Sequence, residues 1–232
     1  MDQLVKCHIE NRIAVVTMDD GKANALSPAM LAALTTALDQ AETLADAVVL
    51  AGRSERFSGG FDLSLLREGG PEAFAMLRGG FDLSVRLLSF PKPVVIACTG
   101  HAVAMGAFLL LSADYRIGAA GPYRVAANEV AIGLTMPLPA LALLQHRLDP
   151  SAFTRAALLA ETFSPEQAVE AGFLDRVVAP AQVVAEACQI AIRLSSLDAG
   201  AHSQTKLRAR SQLLEAVRSG IGADFGSADA GA

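Results

Sequence analysis

Two apolar, β-branched runs, Ala47–Ala51 and Pro93–Cys98, each lead into a glycine-bearing segment and then into a helical apolar pattern. The two segments are Phe57-Ser58-Gly59-Gly60-Phe61-Asp62-Leu63 and Gly100-His101-Ala102-Val103-Ala104-Met105-Gly106-Ala107-Phe108. Short apolar runs bounded by turn residues predict buried strands. A strand, a turn and a helix start in succession leave backbone N–H groups without intrahelical partners. Two such ends facing one point can hold a developing negative oxygen. The expectation is chemistry on a carbonyl, and on a thioester in particular.

Strand and helix alternate from Ala47 to about Ala126, which predicts an α/β fold. Upstream, Val5–Glu10 and Ile13–Met18 flank Asn11-Arg12 and read as a hairpin. Ser27-Pro28 supplies an N-cap and a first-turn proline for a helix over Met30–Ala41. Residues 53–61 read as a loop. Leu63–Leu88 reads as two helices with a bend, interrupted at Gly69-Gly70-Pro71 and at Gly79-Gly80. The hexapeptide GGFDLS occurs twice, at Gly59–Ser64 and Gly79–Ser84. Only the first copy follows a strand, so the second is read as structural.

Met105–Ala113 predicts a short apolar helix, and Asp114–Ala119 and Tyr123–Ala126 predict strands. Beyond Pro137 the pattern is helical over Leu138–Leu148, Pro150–Ala160, Pro165–Ala171, Pro180–Leu194 and about Ala201–Ile221, with one short strand at Asp175–Val178. Ser164-Pro165-Glu166-Gln167 has the form of a capping box. The expected division is an α/β body over 1–195 and a helical C-terminal region over 196–232, its last stretch, Gly222–Ala232, frayed. An apolar stripe on that helical region requires a surface, either the body or a neighbouring subunit.

Composition narrows the function. The chain has 232 residues, 52% apolar and 19% charged, enough to bury a large core. A net charge of −5 without a basic run argues against a nucleic-acid partner, and the absence of Trp argues against a base-stacking surface. No apolar stretch reaches the ~18 residues of a membrane span. The polar opening MDQLVKCHIE is not a signal peptide, and three widely spaced cysteines read as reduced thiols of a cytoplasmic protein. No metal-ligand spacing, GxGxxG after a strand, GxxxxGK[ST] or GxSxG is present. His101 is read as a half-buried histidine satisfied by backbone.

Five elements, in order and at matching spacing, resemble the crotonase (enoyl-CoA hydratase/isomerase) superfamily. Lys22–Leu26 (KANAL) resembles its early R.NAL signature, and Arg56–Leu63 (RFSGGFDL) its FSAGADL element. Pro93–Asp114 (PVVIACTGHAVAMGAFLLLSAD) resembles the second glycine-bearing stretch. Asn128–Gly133 (NEVAIG) and Ser164–Val178 resemble the two that follow. The resemblance implies a spiral of β-β-α units with a helical C-terminal region used in trimer formation, as a homotrimer or a dimer of trimers. It implies an acyl-CoA substrate, with coenzyme A part of that substrate and no separate cofactor.

Carried residue by residue, the resemblance places two thioester-binding N–H groups on Phe61 and Met105. It places the substrate against Lys22, Ala23, Gly60, Phe61, Leu63, Gly106 and Phe108. Met105 opens a helix, so its N–H lies at the positive dipole end. Phe and Met stand where the family often has Ala and Gly, adding bulk beside the thioester. The loop after Gly133, LTMPLPAL, lacks the usual glycine-rich run.

Family hydratases use two glutamates. The first position falls on Phe108 and the second on Glu129. A single glutamate suits a shuttle that takes a proton alpha to the thioester and returns it at the gamma carbon, converting 3-enoyl-CoA to 2-enoyl-CoA. The Asn128-Glu129 pair resembles the isomerase branch. An apolar neighbour such as Phe108 raises the carboxyl pKa by desolvation. The rivals are a one-glutamate hydratase and a non-catalytic acyl-CoA binding protein. Candidates for the CoA phosphates are Lys22, Arg53, Arg56 and Arg67, and on the helical region Lys206, Arg208 and Arg210. Asp114 and Arg116 are assigned to structure.

Overall fold

A computed structural model describes residues 3–226 of the chain. β1 (Val5–Glu10) and β2 (Ile13–Met18) form the expected antiparallel hairpin, with Val5 opposite Met18. After α1 (Pro28–Leu44), one unit recurs: a strand in a large sheet, a strand in a small sheet, then helical structure. The first unit is β3 (Ala47–Ala51), β4 (Glu55–Ser58), α2 (Leu63–Glu68) and α3 (Gly70–Ser89). The second is β5 (Val94–Cys98), β6 (Gly100–Val103) and α4 (Met105–Leu111). The third is β7 (Tyr115–Ala119), β8 (Val125–Ala126) and a short 3₁₀ turn, Val130–Ile132, before α5 (Leu138–Arg147). Then come α6 (Pro150–Ala157), α7 (Pro165–Ala171), β9 (Arg176–Val178), α8 (Val183–Ser195), α9 (Ala199–Ala209) and α10 (Ser211–Phe225).

Among the described residues the large sheet runs β1-β2-β3-β5-β7-β9 and the small sheet β4-β6-β8. The apolar runs become β3 and β5, buried at every position. Successive side chains of a strand face opposite sides. Val48, Leu50, Val94 and Ile96 therefore enter one core, while Val49, Val95 and Ala97 enter a second one beneath α8. Covering on both faces is what an uninterrupted apolar strand requires.

Several expectations change. The stretch read as a loop over 53–61 contains β4, and Gly100–Val103 is strand β6. Strands of four residues carry too little alternation to be seen in sequence. The bend at Gly69-Gly70 separates α2 from α3 as expected, but α3 runs unbroken through Gly79-Gly80. Gly80 is buried beneath the Phe61 ring, which occupies the space a Cβ would need. The second GGFDLS copy is thus a packing element.

The helix expected over about 201–221 is two, α9 and α10, parted at Arg210. The Arg210 guanidinium donates to Leu88 O and Ala113 O at 3.0 and 3.2 Å. α10 extends to Phe225, into the stretch expected to fray; residues 227–232 lie outside the described residues. Leu213, Leu214, Val217 and Ile221 share the main core with α3 and α5, so packing does not divide at residue 195.

Lys206 and Arg210 are held by internal partners. Lys206 is buried, its Nζ donating to Phe90 O, Lys92 O and Asp114 Oδ2 at 3.0, 2.9 and 2.6 Å. Arg210 reaches Asp114 Oδ1 at 2.9 Å. Arg116 is buried against Asp175 at 2.5 Å. The Cys98 thiol is pushed up to about 12 by burial, and all three cysteines are free thiols. Among the described residues no helix is long and apolar enough to cross a membrane.

Candidate active site

β4, β6 and β8 pair in parallel, so their C-terminal ends lie along one edge of the small sheet. Crevices outside such strand ends are where open parallel sheets place their ligands. Each end releases one site segment: Gly59-Gly60-Phe61 after β4, Ala104-Met105 after β6, and Asn128-Glu129 after β8. Cross-links hold the three in register. Ala104 N–H donates to Ala126 O at 2.8 Å, and Ser58 Oγ donates to Asn24 O at 2.8 Å. Asn24 is itself buried, its Nδ2 bonding Met18 O and Phe57 O at 3.1 Å, which ties the KANAL loop to β4.

The first two turns abut. Gly60 has φ +93°, and a Cβ added there would lie 2.8 Å from the Ala104 Cβ and 3.4 Å from Met105 N. Ala104 is held at φ 51°, a conformation that costs an alanine about 1–3 kcal/mol. Among the described residues, neither the Phe61 N–H nor the Met105 N–H donates to a protein acceptor. Met105 is the first residue of α4, so its free donor is one of the orphans of a helix start. Two free amides on abutting turns can stabilise an anionic oxygen. Fully buried, the Met105 side chain adds no bulk to the cavity wall. Gly106 also lies off that wall. A Cβ there would come within 2.5 Å of Ser58 O, so it is the contact between α4 and β4 that requires glycine.

An outer groove and an inner cavity meet at this point. The groove, about 490 Å³, is bordered by Lys22, Ala23, Asp20 and Ser64. The cavity, about 360 Å³, is walled by Leu66, Leu77, Phe81, Phe108, Pro137 and Phe225, among others. Both include Gly59, Phe61 and Leu63. Lys22 and Ala23 thus border the groove, Phe108 the cavity, and Phe61 and Leu63 the junction. Lys22 O accepts from Arg53 Nη1 at 3.0 Å, which fixes the groove rim.

Glu129 is the only titratable side chain among the described residues lining the cavity. It is 7% exposed, and its Oε2 has no hydrogen-bond partner. Burial pushes its pKa from 4.5 up to about 7, opposed only by its own backbone N–H. The group therefore sits near its midpoint at neutral pH, where a carboxyl both accepts and donates. Phe108, 1% exposed, stacks on Phe81 with ring centroids 6.0 Å apart. His101 serves structure, its Nδ1 accepting from Arg124 N–H at 3.1 Å.

Sequence reasoning missed Asn128, whose buried Oδ1 is also unpartnered, and Phe225. The signal for Phe225 was available. Leu214, Val217, Ile221 and Phe225 are spaced by three, four and four, one continuous helical stripe.

A family model described as Enoyl-CoA hydratase/isomerase matches residues 8–223. The chain belongs to that family. Its fold is similar to the crystal structure of an enoyl-CoA hydratase from Mycobacterium marinum, with 52% identity and a TM-score of 0.92, covering 96% of this chain and 100% of that one. An apo structure of the Mycobacterium tuberculosis enoyl-CoA isomerase gives 49% identity and a TM-score of 0.92, covering 97% and 100%. Human mitochondrial Δ3-Δ2-enoyl-CoA isomerase gives 26% identity and a TM-score of 0.88, covering 98% and 93%. The recurrent strand-strand-helix unit is accordingly the crotonase spiral, and relatives named for hydration and for isomerisation share it.

Proposed function

We propose that this enzyme moves the double bond of 3-enoyl-CoA to give 2-enoyl-CoA, with Glu129 as its one acid and base. The observation that carries this reading is the solitary, buried, unpartnered carboxyl in an apolar cavity. Glu129 takes a proton from C2 of the acyl chain. The electron pair delocalises into the thioester, forming a dienolate whose oxygen accepts from the Phe61 and Met105 N–H groups. Protonated Glu129 then returns a proton at C4, and the double bond settles between C2 and C3. Such transfer contributes about 10²–10⁴-fold, and loss of one oxyanion donor costs about 3–4 kcal/mol of barrier. In this reading Lys22 and Ala23 border the path of the CoA moiety, which arrives as part of the substrate, and no further cofactor takes part. A homotrimer would have exposed apolar side chains such as Leu158, Leu159 and Leu197 to cover.

A hydratase reading has one observation in its favour. The unpartnered Asn128 Oδ1 beside Glu129 is a second acceptor for a water molecule. Incubating the protein with 3-enoyl-CoA and, separately, with 2-enoyl-CoA decides between the two. Isomerisation of the first without hydration of the second supports the proposal. Hydroxyacyl-CoA formed from 2-enoyl-CoA faster than double-bond migration rejects it.

A further inference from the structure

We propose that Phe225, on the last turn of α10, closes the far end of the cavity and confines the enzyme to medium-length acyl chains. The inference rests on the acyl-CoA reading above and adds the class of chain. The groove and the cavity share Gly59, Phe61 and Leu63, so a thioester at that junction sends its acyl tail inward. Pro137, Leu77 and Phe225 line only the inner cavity.

Phe225 is held there by its own chain. Its ring stacks on Phe81, with centroids 5.7 Å apart and planes 13° apart. Phe81 in turn meets the rings of Phe61 and Phe108, at 6.2 and 6.0 Å. The turn carrying Phe225 is pinned from both sides. Asp224 accepts from Leu138 N–H at 2.6 Å, and the Arg78 guanidinium donates to Gly226 O. One turn earlier, Gly220 lets α10 meet α5: a Cβ there would lie 2.8 Å from Pro139 N. A contact network of this kind, reaching both α3 and α5, makes a wall of what would otherwise be a free helix end.

The cavity volume of about 360 Å³, at roughly 30 Å³ per non-hydrogen group, admits about twelve such groups. With the thioester sulfur and oxygen included, that is an acyl chain of about ten carbons. Longer tails meet Phe225.

The test titrates the wild-type protein and Phe225→Ala with saturated acyl-CoAs from butanoyl to hexadecanoyl, which bind but have no double bond to move. Affinity of the wild type should rise about fourfold per added methylene and level off near ten carbons. In Phe225→Ala the rise should continue, lifting the ratio of tetradecanoyl to octanoyl affinity at least tenfold. Phe225→Trp should move the plateau to shorter chains, and this second variant keeps the test open if the alanine form unfolds. An unmoved plateau in both variants, or a wild-type affinity that climbs through sixteen carbons, overturns the inference and leaves the acyl-CoA reading standing. Failure to bind any acyl-CoA overturns both.

Discussion

Glu129 and Lys206 are each 7% exposed, yet the protein treats the two charges oppositely. Lys206 Nζ has three acceptors within 3.0 Å, two carbonyls and the Asp114 carboxylate. Glu129 Oε2 has none. Burial pulls the Lys206 pKa down while Asp114 opposes the fall. Burial raises Glu129 with almost nothing to oppose it. A satisfied buried charge fixes the position of a helix; an unsatisfied one is left able to take and return a proton. Depth of burial alone does not separate structure from chemistry, and the census of partners does.

The sharpest way to break this contrast is Glu129→Gln. Turnover of 3-enoyl-CoA should fall about a thousandfold, within the range expected of general acid–base catalysis, while acyl-CoA affinity changes only a few fold. Turnover within tenfold of wild type would remove Glu129 from the mechanism. Lys206→Met should do its damage elsewhere, destabilising the fold by about 3 kcal/mol, because the Phe90 and Lys92 carbonyls lose their buried donor while Asp114 keeps Arg210. Urea unfolding reads this directly, and a loss below about 1 kcal/mol would show that the cluster does not anchor α9.

A third measurement follows Glu129 through pH. The Glu129 pKa is raised on folding, so between about 4.5 and 7 the folded state binds more protons than the unfolded state. Stability from this group is therefore present at low pH and declines as pH rises through that window. The total decline is about 3 kcal/mol. Glu129→Gln has no such ionisation, so its stability relative to wild type should climb by about that amount from pH 4.5 to 8. A flat difference would mean that the carboxyl titrates as if in water. The smallest effect is kinetic. kcat/KM should fall about tenfold per pH unit below 7, because only the ionised carboxyl abstracts a proton; a limb near pH 4.5 would contradict the burial argument.

The large sheet was legible in the chain because its strands are buried on both faces, and such burial selects runs like Val48-Val49-Leu50 and Val94-Val95-Ile96. Of the small sheet, which carries the site segments, only β8 was legible, within Tyr123–Ala126. Glu55–Ser58 and Gly100–Val103 are too short for a period, and they are fixed by backbone pairing to each other across the sequence. Glu129 emerged through family resemblance, since a lone glutamate before an apolar run looks like a surface residue until the cavity closes around it. The resemblance set Gly106 against the substrate; the contact that requires glycine there is with Ser58 O, which a glycine in a motif does not disclose. Phe225 was hidden by Gly, Ala and Asp neighbours that suggest fraying, although its stripe was present.

The central claim is that one water-shielded carboxyl carries the same proton between two carbons. The direct measurement uses 3-enoyl-CoA labelled with deuterium at both C2 positions, turned over in ordinary water and analysed by NMR. The account predicts deuterium at C4 of the 2-enoyl-CoA product well above the solvent level. Product whose C4 hydrogen comes entirely from water would contradict it.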